Sequence, residues 1–208
     1  MLLYCIRHGQ SIYNAEGRIQ GQSDVPLSPL GRRQSEAVAA ALARLPIDAI
    51  YASPLQRAMQ TAQPLADARG LEIQTDLRLK EIDTGVFQDK IWDEIAPHHP
   101  EVAVRWRSGD IDIAFPGGES RRDLMRRGPE AFRSIFQAGH EQAVVVSHGG
   151  LLVATLKVLL DIPPLEPPLD LENGSITKFA FHGDGQVELL TLDEVDHLEH
   201  LGMAVSDE

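Results

Sequence analysis

Cysteine is the scarcest residue type in this 208-residue chain, which contains only one, Cys5. A single thiol cannot form an internal disulfide, and it cannot build a cysteine-based zinc site. Cys5 lies within the apolar run at residues 2–6, and a cysteine in such a run is most often a packed core side chain. We therefore expect Cys5 to be buried and unreactive.

Positive charge is also in short supply. The sequence has 19 Lys and Arg against 31 Asp and Glu, which gives a formal net charge of -12 at pH 7. A broad nucleic-acid or anionic-membrane surface needs an excess of cations, so we expect no nucleic-acid partner and no membrane partner. No apolar run approaches the roughly 20 residues that span a bilayer, and the N-terminal run is too short for a signal peptide. These absences predict a soluble, cytoplasmic protein.

The pattern of apolar runs predicts alternating strands and helices. Strands are expected at 2–6, 48–52, 143–147, 176–181 and 187–192, the last two forming a hairpin around His182-Gly183-Asp184-Gly185. Helices are expected over 30–44, from Ser53-Pro54 to residue 68, over 119–138 with an interruption at Gly128-Pro129, and over 151–160. The fold class is α/β: a three-layer α/β/α sandwich with a mostly parallel central sheet, helices on both faces and an antiparallel edge. The irregular segment 79–118 predicts a small cap.

The chain divides into one domain, residues 1–192, and an acidic tail, residues 193–208. The tail contains no Lys or Arg, and its six carboxylates supply half of the net charge. We interpret it as a surface extension or a partner-contacting arm rather than a catalytic element. His197 and His200 lie within it and are expected on a solvated face.

Three predicted strands end in similar polar residues. Arg7-His8-Gly9 follows the first strand, Arg57 comes soon after the second, and Ser147-His148-Gly149-Gly150 ends the third. Ligands of parallel sheets bind at the carboxyl ends of the strands, and helix N-termini there favour anions. Because the planar guanidinium fork matches phosphate oxygens, these residues predict a phosphate site. A single histidine at a strand end is more often structural, so the pattern alone leaves both interpretations open.

Five segments, in order along the chain, carry a family resemblance. They are residues 7–31 (RHGQSIYNAEGRIQGQSDVPLSPLG), 53–58 (SPLQRA), 79–81 (LKE) with Gly85, 116–120 (PGGES) and 147–150 (SHGG). Together they resemble the histidine phosphatase superfamily, in its phosphoglycerate-mutase-like branch, over residues 2–192. The RHG triplet alone would be weak support, whereas the ordered series is specific.

The resemblance implies a mechanism for each matching residue. His8 would be the nucleophile that forms a phosphohistidine, and Glu81 would be the proton donor and then the base that activates water. Arg7, Arg57 and His148 would hold the phosphoryl oxygens and stabilise the transition state. Further substrate and phosphate contacts are implied for five positions: Asn14, Gln20, Gly21 and the backbone of Gly149 and Gly150. No metal and no cofactor is expected, because Arg and His supply the positive charge.

Departures from the family pattern favour hydrolysis. Phosphoglycerate mutases carry an Arg for the substrate carboxylate soon after the glutamate, whereas this chain reads Glu81-Ile82-Asp83-Thr84-Gly85. We therefore expect a metal-independent phosphatase acting on a small phosphorylated metabolite. A cofactor-dependent phosphoglycerate mutase is the alternative, and a non-catalytic phosphate-binding module is the least favoured hypothesis. A homodimer is one of the oligomeric states that the family includes.

Two further groups have more than one interpretation. Trp92 and Trp106, within the predicted cap, would either pack the cap or stack on the substrate. A basic run of four arginines follows the PGGES segment: Arg121, Arg122, Arg126 and Arg127. A solvated helix face is the usual explanation of such a run, and a contact with a substrate carboxylate or second phosphate is the alternative.

Overall fold

A six-stranded sheet forms the centre of the molecule in the computed structural model, which describes residues 1–164, 169–183 and 185–201. The strands are β1 (Leu2–Arg7), β2 (Ala49–Ala52), β3 (Ile73–Thr75), β4 (Gln142–Ser147), β5 (Ile176–Phe181) and β6 (Val187–Glu194). Their order across the sheet is β3-β2-β4-β1-β5-β6. The first four strands in that order run parallel, and β5 and β6 add an antiparallel edge. The predicted mostly parallel sheet with an antiparallel edge is confirmed.

Seven α-helices connect and cover these strands in the described residues. They are α1 (Ile12–Ala15), α2 (Pro29–Leu42), α3 (Gln56–Arg69), α4 (Trp92–Ile95), α5 (Pro100–Arg107), α6 (Arg121–Gln137) and α7 (Gly149–Leu159). Single 3-10 turns occupy Leu77–Leu79 and Gly85–Phe87, and a longer one occupies Asp196–Leu201. The segment 79–118 holds two of the shortest helices, as expected for a cap. No helix of the described chain is long and apolar enough to cross a membrane.

Both faces of the sheet are buried. Alternate residues of each central strand point to opposite sides, and each set packs into a core of its own. On β1, Leu3 and Cys5 pack into a core that includes Phe132 of α6 and Leu151 of α7. Tyr4 and Ile6 pack into a second core that includes residues of α2 and α3. The three-layer α/β/α sandwich is therefore confirmed. Cys5 is 1% exposed, as predicted, and burial raises the pKa of its thiol.

Two predicted helices differ in detail. Helix α3 begins at Gln56 with Leu55 at its N-cap, so the prediction of an N-cap at Ser53 is wrong. The Ser53 hydroxyl instead accepts a hydrogen bond from the Leu55 N–H at 3.3 Å. Helix α6 runs without a break past Gly128-Pro129, contrary to the predicted interruption. Tertiary packing overrides the local preference here, because Gly128 lies directly against Thr155 of α7.

The C-terminal region is more ordered than the predicted acidic tail. Strand β6 continues to Glu194, and the 3-10 turn at Asp196–Leu201 buries Leu198 in a contact with α2. His197 is partly buried, and its Nε2 lies 2.9 Å from the Gly174 carbonyl oxygen, so a solvated face was the wrong prediction for this residue. His200 is exposed, as predicted.

Some predicted features differ in extent or lie outside the description. The short edge strand β3 has no counterpart among the predicted strands, because only one of its three residues is apolar. Asp184 of the predicted hairpin turn, residues 165–168 and residues 202–208 of the predicted tail lie outside the described residues.

The loop that follows β1 is pressed against the start of α2. Ser28 caps this helix by accepting a hydrogen bond from the Gly31 N–H at 3.0 Å. A Cβ atom at Gly31 would lie 2.0 Å from the carbonyl oxygen of Gln10, and one at Gly9 would lie 2.6 Å from the carbonyl oxygen of Gly31. Backbone therefore meets backbone at this point, and the contact fixes the path of the chain just after His8.

We expect Gly31→Ala to destabilise the protein by about 1–3 kcal/mol, because the added methyl group must displace backbone rather than a flexible side chain. Gly183→Ala is the matched control, since no atom lies within 4 Å of a Cβ built there. Urea unfolding measures both variants. Equal midpoints for the two variants would contradict the backbone contact as the source of the loss.

Candidate active site

The sheet brings the ends of β1 and β4 together. These strands are parallel neighbours with Arg7 opposite Ser147, so the residues that follow, His8 and His148, lie side by side. The two imidazole centroids are 5.0 Å apart. Helix α3 follows β2, which neighbours β4 in the sheet, and it places Arg57 beside the two histidines. The Nε of Arg57 lies 3.3 Å from the Nε2 of His8. The three predicted strand ends therefore form one site.

His8 is held in one tautomer. Its side chain is buried, with 3% of the residue exposed, and its Nδ1 lies 2.7 Å from the carbonyl oxygen of Gly9. A carbonyl can only accept, so this contact assigns the ring proton to Nδ1. The Nε2 atom then carries the lone pair. It accepts a hydrogen bond from the Nε–H of Arg57 at 3.3 Å.

Both histidines are neutral at pH 7. Burial lowers the pKa of His8 well below its usual value, and the positive charges of Arg57 and Arg7 lower it further. Burial and the charge of Arg57 likewise lower the pKa of His148. A neutral imidazole keeps its lone pair available, which is the form that a nucleophile or hydrogen-bond acceptor needs.

Arg57 is the most deeply buried charged residue of the site, with no exposed surface. Its Nη1 and Nη2 each donate to a backbone carbonyl at 2.8 Å, those of Ser23 and Gly21. Burial lowers its pKa to about 10, while the carboxylates of Glu81 and Asp24 act in the opposite direction. Arg57 therefore remains a cation at neutral pH, in a fixed orientation.

Several polar atoms of the site have no partner in the protein. The Nε of Arg7 and both ring nitrogens of His148 are buried without a hydrogen bond in the described structure. The other end of Arg7 is occupied, because its Nη1 donates to the Leu171 carbonyl and lies 3.4 Å from Asp170. Buried polar groups normally have a partner. These atoms therefore favour a ligand that accepts hydrogen bonds at this place.

The carboxyl group of Glu81 is held against the first residues of α7. Its Oε2 accepts from the N–H of Gly150 at 3.1 Å, and its Oε1 accepts from the N–H of Ile82 at 2.8 Å. A Cβ atom at position 150 would lie 2.5 Å from Oε1, so the glycine is needed for this approach. The carboxyl group faces the same cavity as His8. It is therefore positioned to exchange a proton with a bound molecule.

Arg127 is a positioning residue that the sequence pattern did not single out. Its guanidinium donates to the carbonyls of Arg78, Lys80 and Glu81 at 2.6–2.8 Å and forms an ion pair with Glu119 at 2.9 Å. Its side chain is only 15% exposed, so the solvated-face interpretation is wrong for it. The segment that carries Glu81 is thereby anchored to α6.

The other arginines of the basic run divide between surface and cavity. Arg122 and Arg126 are exposed and pair with Asp112 and Asp123, as a solvated face predicts. Arg121 instead lies against the Trp106 ring and lines the cavity.

A cavity of about 720 Å³ opens at the site. It is lined by eight of the predicted site residues: Arg7, His8, Gln20, Gly21, Arg57, Glu81, Gly149 and Gly150. Asn14 and His148 are not in its wall. The Oδ1 of Asn14 accepts from the Ser11 N–H at 3.0 Å in the capping box of α1, and it lies 3.5 Å from the Nδ2 of Asn173. Asn173, which the sequence did not indicate, also donates to the His8 carbonyl at 3.0 Å.

The rest of the cavity wall is largely apolar. It includes Ile19, Ile111, Leu124, Met125 and Val153, with the aromatic rings of Trp92, Trp106 and Phe115. Both tryptophans therefore belong to the cavity and to the cap packing. In the described residues, no three His, Cys, Asp or Glu side chains are grouped to hold a metal ion.

Comparison with known proteins agrees with this geometry. The family model of the histidine phosphatase superfamily (branch 1) matches residues 3–194. The chain belongs to the histidine phosphatase superfamily.

The relatives of this chain include proteins named as mutases and proteins named as phosphatases. A probable phosphoglycerate mutase, GpmB, of Yersinia pestis is 35% identical over 210 residues, covering 99% of this chain and 97% of that one. The structure of YhfR of Bacillus stearothermophilus matches with a TM-score of 0.89 at 30% identity, and the match covers 95% of this chain and 98% of YhfR. The structure of a mycobacterial glucosyl-3-phosphoglycerate phosphatase matches with a TM-score of 0.85 at 33% identity, and the match covers 92% of this chain and 98% of that protein. The protein is thus an enzyme of a family that contains phosphatases and mutases.

We expect the neutral histidines to make the stability of the protein depend on pH. Their pKa values are lowered in the folded state, whereas in the unfolded chain a histidine binds a proton near pH 6.5. Each therefore contributes stability that is present above pH 6.5 and is lost as the pH falls, by about 1 kcal/mol at pH 5.5.

Urea unfolding at pH 7.5 and 5.5 checks this dependence. His148→Gln should lose less stability between the two pH values than the wild type does. His98→Gln, at an exposed position, is the control and should lose as much as the wild type. The same loss in all three proteins would count against two buried neutral imidazoles.

Proposed function

We propose that the protein is a metal-independent phosphatase that hydrolyses small phosphomonoesters through a phosphohistidine intermediate. The observation that carries this proposal is the neutral His8, whose Nε2 lone pair lies 3.3 Å from the Nε of Arg57 at the cavity. This pair supports an arrangement in which His8 attacks a phosphoryl group that Arg57 holds.

In the first step, the Nε2 lone pair of His8 forms a bond to phosphorus, and the bond from phosphorus to the ester oxygen breaks. Glu81, in its protonated form, donates the proton that the leaving alcohol requires. In the second step, a water molecule attacks phosphorus and gives its proton to Glu81. The bond to Nε2 breaks, phosphate leaves, and both side chains return to their starting states.

The surrounding donors stabilise the charge on the phosphoryl oxygens. Arg57 is held by two carbonyls and needs no reorganisation to meet an anion, and the buried Nε of Arg7 has a free N–H. His148 offers one ring N–H while remaining neutral. Preorganised donors in a buried site stabilise a transition state more than the same groups do in water.

The walls of the cavity favour hydrolysis of a larger, partly apolar ester over mutase chemistry on phosphoglycerate. A three-carbon phosphoglycerate is polar throughout and would fill a small part of about 720 Å³. Apolar and aromatic side chains make up most of the wall beyond the reactive residues. Burial of an apolar alcohol against them would supply binding free energy that phosphoglycerate cannot gain.

Phosphoglycerate mutase activity is the second candidate, favoured by the name of the Yersinia pestis relative. Conversion of 3-phosphoglycerate to 2-phosphoglycerate, stimulated by a bisphosphoglycerate and faster than phosphate release, would establish it over hydrolysis.

We expect His8→Ala to abolish phosphate release from a chromogenic phosphate ester in the presence of a chelator, with a loss of at least about a thousand-fold in kcat. Acid quenching during turnover of a ³²P-labelled ester should leave label on the wild-type protein and none on this variant. His98→Ala, an exposed substitution, is the control and should keep both signals. Equal activity of His8→Ala and the wild type would refute the nucleophile assignment.

We expect Glu81→Gln to affect esters according to their leaving group. An alkyl phosphate needs a proton on its leaving oxygen, so its kcat should fall by about 100- to 10,000-fold. The first step with 4-nitrophenyl phosphate should fall far less, because nitrophenolate leaves without a proton. Single-turnover measurements of alcohol release compare the two esters, with the exposed Glu101→Gln as control. Equal losses for both esters would speak against proton donation by Glu81.

A further inference from the structure

Besides Arg7 and Arg57, three further cationic side chains line the cavity: Arg107, Arg121 and Lys157. Arg121 begins α6, and its guanidinium carbon lies 3.5 Å from the centroid of the Trp106 ring. Its Nη1 donates to the Trp106 carbonyl at 2.9 Å. These two contacts hold the guanidinium plane against the cap helix α5. The side chain lines the same cavity as the reactive residues.

Arg121 is the one arginine of the basic run without an ion pair in the described residues. Arg122 pairs with Asp112, Arg126 with Asp123, and Arg127 with Glu119.

The other nearby carboxylates are also occupied. Asp110, whose charge reaches Arg121, accepts from the Nε of Arg105 at 2.7 Å. Asp123, three residues away in the same helix, accepts from the Ser120 hydroxyl at 2.7 Å in a capping box. Each acid that could neutralise Arg121 thus has another partner.

A partly buried guanidinium with free N–H groups is a binding group for an anion. The Nε and Nη2 atoms of Arg121 have no protein acceptor in the described structure, although burial lowers the pKa of the group. Its planar fork matches the two oxygens of a carboxylate.

We propose that Arg121, stacked on Trp106, binds a carboxylate carried by the alcohol part of the substrate. The substrate class is then a phosphomonoester with an apolar body and a carboxylate at the end remote from the phosphate. This proposal rests on the proposed phosphatase function for the phosphate end. It depends on different residues for the carboxylate end, so the two can be tested separately.

The test compares pairs of aryl phosphates that differ only in the remote group. Each pair consists of a carboxylate and its neutral carboxamide: 4-carboxyphenyl with 4-carbamoylphenyl phosphate, and the homologues with one or two methylene groups before the remote group. In at least one pair, kcat/KM of the wild type should favour the carboxylate by about 10-fold or more, as expected for a charge-assisted hydrogen bond. Arg121→Met should reduce this ratio to about 1.

Two further variants separate binding from a general disturbance. Arg121→Lys keeps the charge but loses the planar fork, and it should give an intermediate ratio. Arg122→Gln, next in sequence but exposed and paired with Asp112, should keep the wild-type ratio. Because each ratio compares two esters on one protein, partial unfolding of a variant lowers both rates and leaves the ratio unchanged.

A binding measurement makes the result independent of hydrolysis. Calorimetry gives Kd for the benzylphosphonate analogues of the same pairs, which cannot be hydrolysed. We expect the wild type to bind the carboxylate of a pair about 10-fold more tightly than the carboxamide, and Arg121→Met to lose this preference. If no ester is hydrolysed, the proposed phosphatase function is wrong, and the phosphonate ratio still decides the role of Arg121. A wild-type ratio near 1 in every pair, or a preference that survives Arg121→Met, would overturn the proposal.

Discussion

The active site depends on one buried cation, the guanidinium of Arg57. A charged group with no exposed surface is costly unless its hydrogen bonds are satisfied. Here the Gly21 and Ser23 carbonyls accept two of them, so the loop after α1 is tied to the start of α3. The same guanidinium faces His8 and lowers its pKa. One interaction therefore orients the Arg57 guanidinium, lowers the pKa of His8 and joins two segments distant in sequence.

A second anchor of the same kind holds Glu81 in place. Arg127 donates to three backbone carbonyls at or just before Glu81, those of Arg78, Lys80 and Glu81. It also pairs with Glu119, whose carboxylate accepts a hydrogen bond from the Asp83 N–H at 2.9 Å. The carboxyl group of Glu81 is then fixed by two backbone N–H donors. Arginine is suited to both anchors, because its several donors in one plane can satisfy several carbonyls at once. The reactive residues are thus supported by backbone contacts rather than by packing alone.

The fold and the reactive residues were predictable because their signals are local or ordered along the chain. Apolar runs located β1, β2 and β4, and the strand ends located Arg7, His8, Arg57 and His148. The roles of Arg127 and Asn173 were not predictable, since they depend on which carbonyls come within reach after folding. Packing likewise decided that α6 passes through Gly128-Pro129 unbroken. The position of Arg121 was also not predictable, because the four arginines of its run are alike in sequence. Only the structure shows that Arg121 lines the cavity while Arg122 and Arg126 are exposed.

The acidic composition and the anionic ligand are compatible because charge is distributed unevenly. Five cationic side chains and two carboxylates are among the described residues that line the cavity, a local excess of positive charge in a chain of net charge -12. Low-dielectric walls strengthen the field of buried cations, whereas exposed carboxylates are screened by solvent within about 10 Å. A compact ester can enter this positive region completely. A long polyanion would leave most of its charge against the acidic surface, so we expect this charge distribution to favour a small phosphate ester over phosphorylated polymers.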